Sequence, residues 1–459
     1  MIASRRSFFK TAISLGVATS AYPMLSGCAT SQAGSSAPLI ADPNGLLDLP
    51  EGFTYTAISR TGETMSDGLK VPAAHDGMAC FPMEGDADRC ILVRNHELDP
   101  DEAHLGAYAD GTDVQPDLSY DFGVDGAPLP GGTTTLVYNL KTDQVERSFL
   151  SLSGTLRNCS GGLTPWGSWL SCEETEITSG PLAREDHGYV FEVPASATER
   201  AVPVALKDMG RFKHEATATD PRTGVVYQTE DQGDSLFYRF LPDVPGELSK
   251  GGRLQVLAVR GAKGADTRNW IDQRFAPSGA WDVDWLDIED VTSPDGDLRL
   301  RGHAKGAALF ARGEGMSFAL EQAGSAIYFA CTNGGRERLG QIWKYVPSPY
   351  EGTADEARSP GRLVLHYESQ SAADMDMCDN IVAAPWGDLV VCEDGSNDQF
   401  VRGVSPDGRV YSIARNAHPG DSEFAGACFA PDGETLFVNI QTPGTTFAIR
   451  GPWASIIRA

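Results

Sequence analysis

Histidine is scarce in this chain, 8 among 459 residues, so a histidine-rich metal centre is not expected. Basic residues are also few. Lys and Arg number 37 against 63 Asp and Glu, a formal net charge of -26. That balance argues against nucleic acid and anionic membrane surfaces as partners, because phosphate backbones need basic patches. Helical periodicity is nearly absent, which excludes a helical bundle. The one long apolar stretch, residues 11–24, is too short to span a bilayer comfortably. What is present points to β-structure. Gly 50 and Pro 28 are high, and short β-runs alternate with Gly, Pro, Asp and Asn. Apolar residues make up 41%, enough for a real core.

The N-terminus reads as an export signal. Ser4-Arg5-Arg6-Ser7-Phe8-Phe9-Lys10 resembles the twin-arginine consensus, and Leu25-Ser26-Gly27-Cys28 resembles a lipobox. Residues 1–28 are therefore expected to be the signal, handled by the twin-arginine export machinery, with a lipid anchor at Cys28. Ordinary peptidase cleavage near residues 29–33 is the alternative. Residues 29–45 are expected to be a flexible tether, and 46–459 a single catalytic domain. The expected location is the periplasm or the cell surface, and the expected state a monomer. Among the later cysteines, Cys80 and Cys90 flank a predicted hairpin turn and are placed to face each other. Cys172, Cys331 and Cys392 end strand-like runs and read as buried free thiols.

Six similar cassettes recur. They start at His75-Asp76, Asn158-Cys159, His214-Glu215, Arg312-Gly313-Glu314, Asp379-Asn380 and Glu423-Phe424. Each runs through a turn into a second β-run, and most end in acids: Asn95-His96-Glu97, Cys172-Glu173-Glu174, Glu230-Asp231 and Glu393-Asp394. Cys159 to Glu174, Glu215 to Glu230 and Asp379 to Asp394 are each 15 residues apart. A hairpin returns the chain to the edge where it began. Hairpins repeated around an axis make a β-propeller, so the expected fold is all-β, a six-bladed propeller. Residues 99–130 and 262–308 are expected to be loop insertions over one rim. The cassette ends would then converge on one mouth of the central channel. Buried unpaired carboxylates cost several kcal/mol each, so cations are expected there. Oxygen-rich sites suit calcium, whereas Cys159, a thiol among carboxylates, suits iron or another transition metal.

These motifs resemble the PhoX-type alkaline phosphatases. The resemblance is carried by Asn158-Cys159-Ser160-Gly161-Gly162, Thr164-Pro165-Trp166-Gly167, Cys172-Glu173-Glu174, His214-Glu215-Ala216, Thr229-Glu230-Asp231, Arg312-Gly313-Glu314-Gly315, Asp379-Asn380 and Cys392-Glu393-Asp394-Gly395. It spans roughly residues 50–450. It implies hydrolysis of small phosphate monoesters outside the cytoplasm, with two Fe3+ and three Ca2+. It implies Cys159 as the bridging thiolate, and Glu215, Glu314 and Asp379 as ligands around that pair. Glu173, Glu174, Glu230, Glu393 and Asp394 would complete the metal shells. Asp76, Asn95 and Glu97 of the first cassette fit the geometry with a weaker match, and of these Glu97 is taken as a further ligand. Arg312 would hold the phosphoryl group, since a guanidinium matches it bidentately. Lys213 would add positive charge. Ser160 has no paired base, so no protein nucleophile is expected.

The chain departs from that pattern in three ways. It is shorter than long members, it has Cys378 where proline is expected, and its last cassette ends in Asn439-Ile440-Gln441 without an acid. Two other readings stand beside this one. The first is a calcium-only propeller hydrolase of phytase or lactonase type. The second is a non-catalytic surface propeller.

Overall fold

A computed structural model describes residues 37–111, 115–123, 126–420 and 422–457. The export signal and the lipobox lie outside the described residues. The fold is all-β and propeller-like. Its six cassettes are six antiparallel hairpins. Their leading strands are His75–Met83, Asn158–Leu163, His214–Thr219, Gly313–Glu321, Cys378–Ala383 and Phe424–Phe429. The return strands are Asp86–His96, Ser168–Glu173, Val226–Glu230, Gly324–Cys331, Leu389–Glu393 and Thr435–Ile440. The leading strands neighbour one another in sequence order, and the sixth closes back on the first. They stand side by side in a closed ring.

The hydrogen-bonded sheets number five rather than six. Residues 262–308 are the cause. Expected as a rim loop, they contain the strand Ala280–Asp287 and the helix Leu298–Lys305. That strand pairs on one edge with Gly252–Val259 and on the other with Arg362–Glu368. The third and fourth hairpins are thereby fused into one nine-stranded sheet. The tether also ends earlier than expected. Leu39–Ile40 pairs with Leu47–Pro50, which pairs with Val410–Asn416. Residues 39–40 therefore belong to the sheet, and 41–46 connect them to its next strand.

Local chemistry explains the hairpins. Pro165-Trp166-Gly167 and Pro385-Trp386-Gly387 turn with φ of 84° and 96° at the glycines, a conformation costly for other residues. Return strands such as LVVCE are buried on both faces and read as continuous apolar runs ending in an acid. The expected buried thiols Cys172, Cys331 and Cys392 are buried and free. Cys80 pairs with Leu92, and Cys90 with Pro82. Cys80 and Cys90 are therefore diagonal neighbours on one sheet face rather than directly opposite, and both are free thiols.

Adjacent leading strands approach backbone to backbone. A Cβ on Gly162 would lie 2.0 Å from Thr217 O, and one on Gly77 would lie 2.6 Å from Ser160 Cα. Side chains latch the ring laterally. Asn95 Nδ2 donates to Ser160 O at 2.6 Å, Thr229 Oγ1 to Glu314 O at 2.6 Å, and Asn439 Nδ2 to Asp76 O at 2.6 Å. Thr332 Oγ1 donates to Cys378 O at 2.7 Å, and Asn380 Oδ1 accepts from Gly426 N at 2.7 Å. Between the second and third strands the donor is the Cys159 thiol, 3.3 Å from His214 O. Further along the strands lies an apolar cavity of about 170 Å3, lined by Met78, Trp169, Met316, Phe318, Ile381 and Cys428 among others. The ring thus has an apolar cavity along its strands and an acidic mouth where the strands begin.

Candidate metal centre

The acidic mouth is built from three positions of each hairpin. The residue before the leading strand is Ala74, Arg157, Lys213, Arg312, Met377 or Glu423. The second residue of that strand is Asp76, Cys159, Glu215, Glu314, Asp379 or Ala425. The residue after the return strand is Glu97, Glu174, Asp231, Thr332, Asp394 or Gln441. In every hairpin the amide of the last position donates to the carbonyl of the first, pinning the two ends together.

A β-bulge aims the second position. Strand register shifts between His75 and Met78, Asn158 and Gly161, His214 and Thr217, Gly313 and Met316, and Cys378 and Ile381. Asp76, Cys159, Glu215, Glu314 and Asp379 each fall inside a bulge. A bulge bends its strand and re-aims the side chain, which turns the five toward one mouth. In the sixth strand the bulge comes one residue later, and the corresponding position is Ala425.

Four overlapping groups result. In each, one ligand atom per residue lies within 4.8 Å of the others. They are Cys159, Glu174 and Glu215; Glu215, Glu314 and Asp379; Asp379, Asp394 and Glu423; and Asp76, Glu97 and Glu423. Among the described residues no histidine joins these groups. Two of their members, Asp76 and Glu423, were underread in the sequence. Glu423 precedes its strand as Arg312 does, but its cassette ends without an acid, so nothing marked it as a ligand.

The groups are crowded with like charge. Burial first, then Asp379 and Glu174, pushes the Glu215 carboxyl well up. Burial, Asp231 and Glu215 do the same to Glu314, and burial with Glu97 and Asp379 to Asp76. Asp379 is pushed up to about 7 by burial and Asp394. Burial and then Glu215 raise the Cys159 thiol. Such a cluster holds protons until a stronger Lewis acid takes their place. A buried thiol at one end and all-oxygen groups at the other fit a transition metal beside hard cations.

Three acids predicted as ligands are held elsewhere. Successive strand residues face opposite sides, so Glu173, Glu230 and Glu393 point away from the channel. Glu173 accepts from the amides of Leu156, Gly188 and Tyr189, and from His187 Nδ1 at 2.6 Å. Glu230 accepts from Leu236 N and the Tyr238 hydroxyl. Glu393 accepts from Asp376 N, Phe400 N and Arg402 Nε. None of the three belongs to a ligand group among the described residues. Asn95 is likewise a latch, accepting from Trp169 Nε1 and Ser171 Oγ besides its bond to Ser160.

Two guanidiniums reach the mouth. Arg312 Nε lies 2.8 Å from Asp231 and its Nη2 2.7 Å from Glu314. Arg157, unnoticed in the sequence, lies 2.6 Å from Glu97, 2.8 Å from Glu174 and 3.0 Å from Asp99.

A family model described as "Alkaline phosphatase PhoX" matches residues 35–138 and 128–444. The chain belongs to the PhoX alkaline phosphatase family. Its class is therefore that of the phosphoric monoester hydrolases. A comparison with curated protein sequences gives no match. Among solved structures, Pseudomonas fluorescens PhoX in complex with vanadate, a transition state analogue, is similar at 18% identity and a TM-score of 0.64. That match covers 91% of this chain and 97% of the other, and it extends the PhoX fold over nearly the whole chain. A gluconolactonase from Xanthomonas campestris matches at 11% identity and a TM-score of 0.40, covering 93% of this chain and all of its own.

Proposed function

We propose that this PhoX-family phosphatase hydrolyses small phosphate monoesters at a cation cluster in the acidic mouth of the channel. The observation that carries the proposal is Cys159 on its bulge, with Glu174 and Glu215 beside it. The propeller has six blades in this reading, the third and fourth fused through Ala280–Asp287. Cys159, Glu174 and Glu215 would hold iron. Glu314 and Asp379 extend that group. Asp76, Glu97, Asp394 and Glu423 would hold calcium. The complement is two Fe3+ and three Ca2+, as the family resemblance implies. The bound cations supply Lewis-acid charge against the phosphoryl oxygens, and so a large part of the barrier reduction a slow ester needs.

The chain's own groups do the rest. Arg312 stands at the rim of the same cluster, its fork already on two carboxylate oxygens. A phosphoryl group offers the fork the same paired acceptors, so Arg312 orients it and neutralises charge on its equatorial oxygens. Lys213, at the equivalent place one hairpin earlier, adds positive charge. Both residues stand immediately before a leading strand, and the amides of Thr332 and Asp231 pin their carbonyls, which fixes their spacing. The protein works as an exported monomer in the periplasm or at the cell surface, with a lipid anchor at Cys28. Export in the folded state lets Cys159 be metallated before it meets an oxidising compartment.

Two variants test this. Cys159→Ala is expected to lose iron by elemental analysis and at least about a thousandfold in kcat on p-nitrophenyl phosphate. Arg312→Ala is expected to keep its cations and lose about a hundredfold or more in kcat/KM. A Cys159→Ala protein that is fully active with calcium alone would sink the iron assignment.

A further inference from the structure

Resting on the phosphatase reading, we infer that Arg157 contacts substrate, and that the preferred substrates are phosphate monoesters carrying a second anionic group. The argument comes from the repeat. Arg157, Lys213 and Arg312 occupy the same position in three consecutive hairpins, immediately before the leading strand. The other three hairpins have Ala74, Met377 and Glu423 there. At this position the positive residues thus fall in three adjacent hairpins, in a chain of net charge -26.

Arg157 and Arg312 match in detail. Both have a left-handed backbone, φ 45° and 53°, as do Ala74 and Met377 at the same position, so the repeat itself sets where the side chain starts. Their carbonyls accept the amides of Glu174 and Thr332, the equivalent residues of their own hairpins. Each guanidinium bridges an acid of the preceding hairpin, Glu97 or Asp231, to an acid of its own, Glu174 or Glu314. Their side chains are about equally exposed, 19% and 21%. Between them lie Glu174, Glu215 and Glu314, members of the two groups that include Cys159 and Asp379. Cations bound to those carboxylates compete with both arginines for the same oxygens. A phosphoryl group held at Arg312 therefore has a second guanidinium along the arc, placed for a carboxylate or phosphate on the remainder of the ester. A dianion entering so acidic a mouth gains most where the cations are concentrated.

The test is calorimetric binding of two non-hydrolysable ligands to the metal-loaded protein: propane-1,3-diphosphonate and propylphosphonate. Wild-type protein is expected to prefer the diphosphonate by about tenfold, the scale of one charge-assisted contact. Arg157→Gln is expected to remove that preference while propylphosphonate affinity falls far less, and Arg157→Lys to restore part of it. Equal losses for both ligands, or an unchanged preference, overturn the inference. Wild-type protein that hydrolyses p-nitrophenyl phosphate but shows no preference overturns it too, whether or not the variants fold. Wild-type protein that binds neither ligand and hydrolyses no phosphate ester removes the phosphatase reading and this inference with it.

Discussion

Glu173 and Glu174 are adjacent, both acidic and both buried, yet they have opposite surroundings. Glu173 faces the blade interior, where three amides and His187 surround its oxygens. Glu174 faces the channel, among Cys159 and Glu215. Glu393 and Asp394 repeat the contrast. Glu393 is bonded to Asp376 N, Phe400 N and Arg402, while Asp394 crowds Asp379 and Glu423. One step along the chain separates a carboxylate ringed by donors from one crowded by other acids.

The largest stability effect should come from the inward-bonded member. Burial alone would lower the His187 imidazole, but Glu173 and Asp121 outweigh it and hold it up to about 9. Glu173→Ala leaves that cation with Asp121 alone and three amides without an acceptor. It should cost about 3–5 kcal/mol in chemical denaturation. A cost under about 1 kcal/mol would erase the contrast between the two faces.

A pH series on metal-free protein should come next. Burial pushes Glu393 up to about 7 and Glu230 to about 8, and Asp379 stands at about 7. Each folded carboxyl holds a proton that the unfolded chain releases near pH 4. Stability from these groups is complete below about pH 4 and lost as pH rises through 7 to 8. His187 acts in the same direction between its ordinary 6.5 and about 9. The Tm of metal-free protein should therefore be several degrees higher at pH 5.5 than at pH 8.5, with the gap narrowed by cations. A metal-free protein more stable at pH 8.5 contradicts the crowded-cluster picture.

The smallest effect belongs to the latches. Asn95→Ala removes the donor to Ser160 O and leaves Trp169 and Ser171 without their acceptor. A loss of about 1–3 kcal/mol is expected, with cation content per folded chain kept. Loss of cations without loss of stability would make Asn95 part of the centre.

Much of this was legible in the sequence because it is local. The turn glycines, the hairpins and the recurrence of acids at their ends all lie within short windows. The spacing of 15 residues selects Glu174 and Asp394, which join the acid groups at the mouth. It fails in the third hairpin, where it selects Glu230 although the equivalent residue is Asp231, one position later. Facing depends on register, and bulge and turn length shift register by single residues. The fusion of two blades was unreadable for another reason. Ala280–Asp287 pairs with strands distant in sequence, and its own pattern reads as an insertion. Arg157 lies one residue before the cassette start read from the sequence, so only the assembled repeat shows that it shares the place of Arg312, and Glu423 opens a cassette that ends without an acid.

The most direct measurement is iron and calcium per folded chain in Glu174→Gln set beside Glu173→Gln. Glu174→Gln is expected to lose cations, with a smaller stability change than Glu173→Gln in the metal-free protein, because relief of repulsion at Glu215 offsets loss of the Arg157 pair. Glu173→Gln is expected to keep its cations in whatever fraction folds, and to unfold more readily. Full cation content in Glu174→Gln, with cations lost from a Glu173→Gln protein of normal stability, would contradict the division between the two faces.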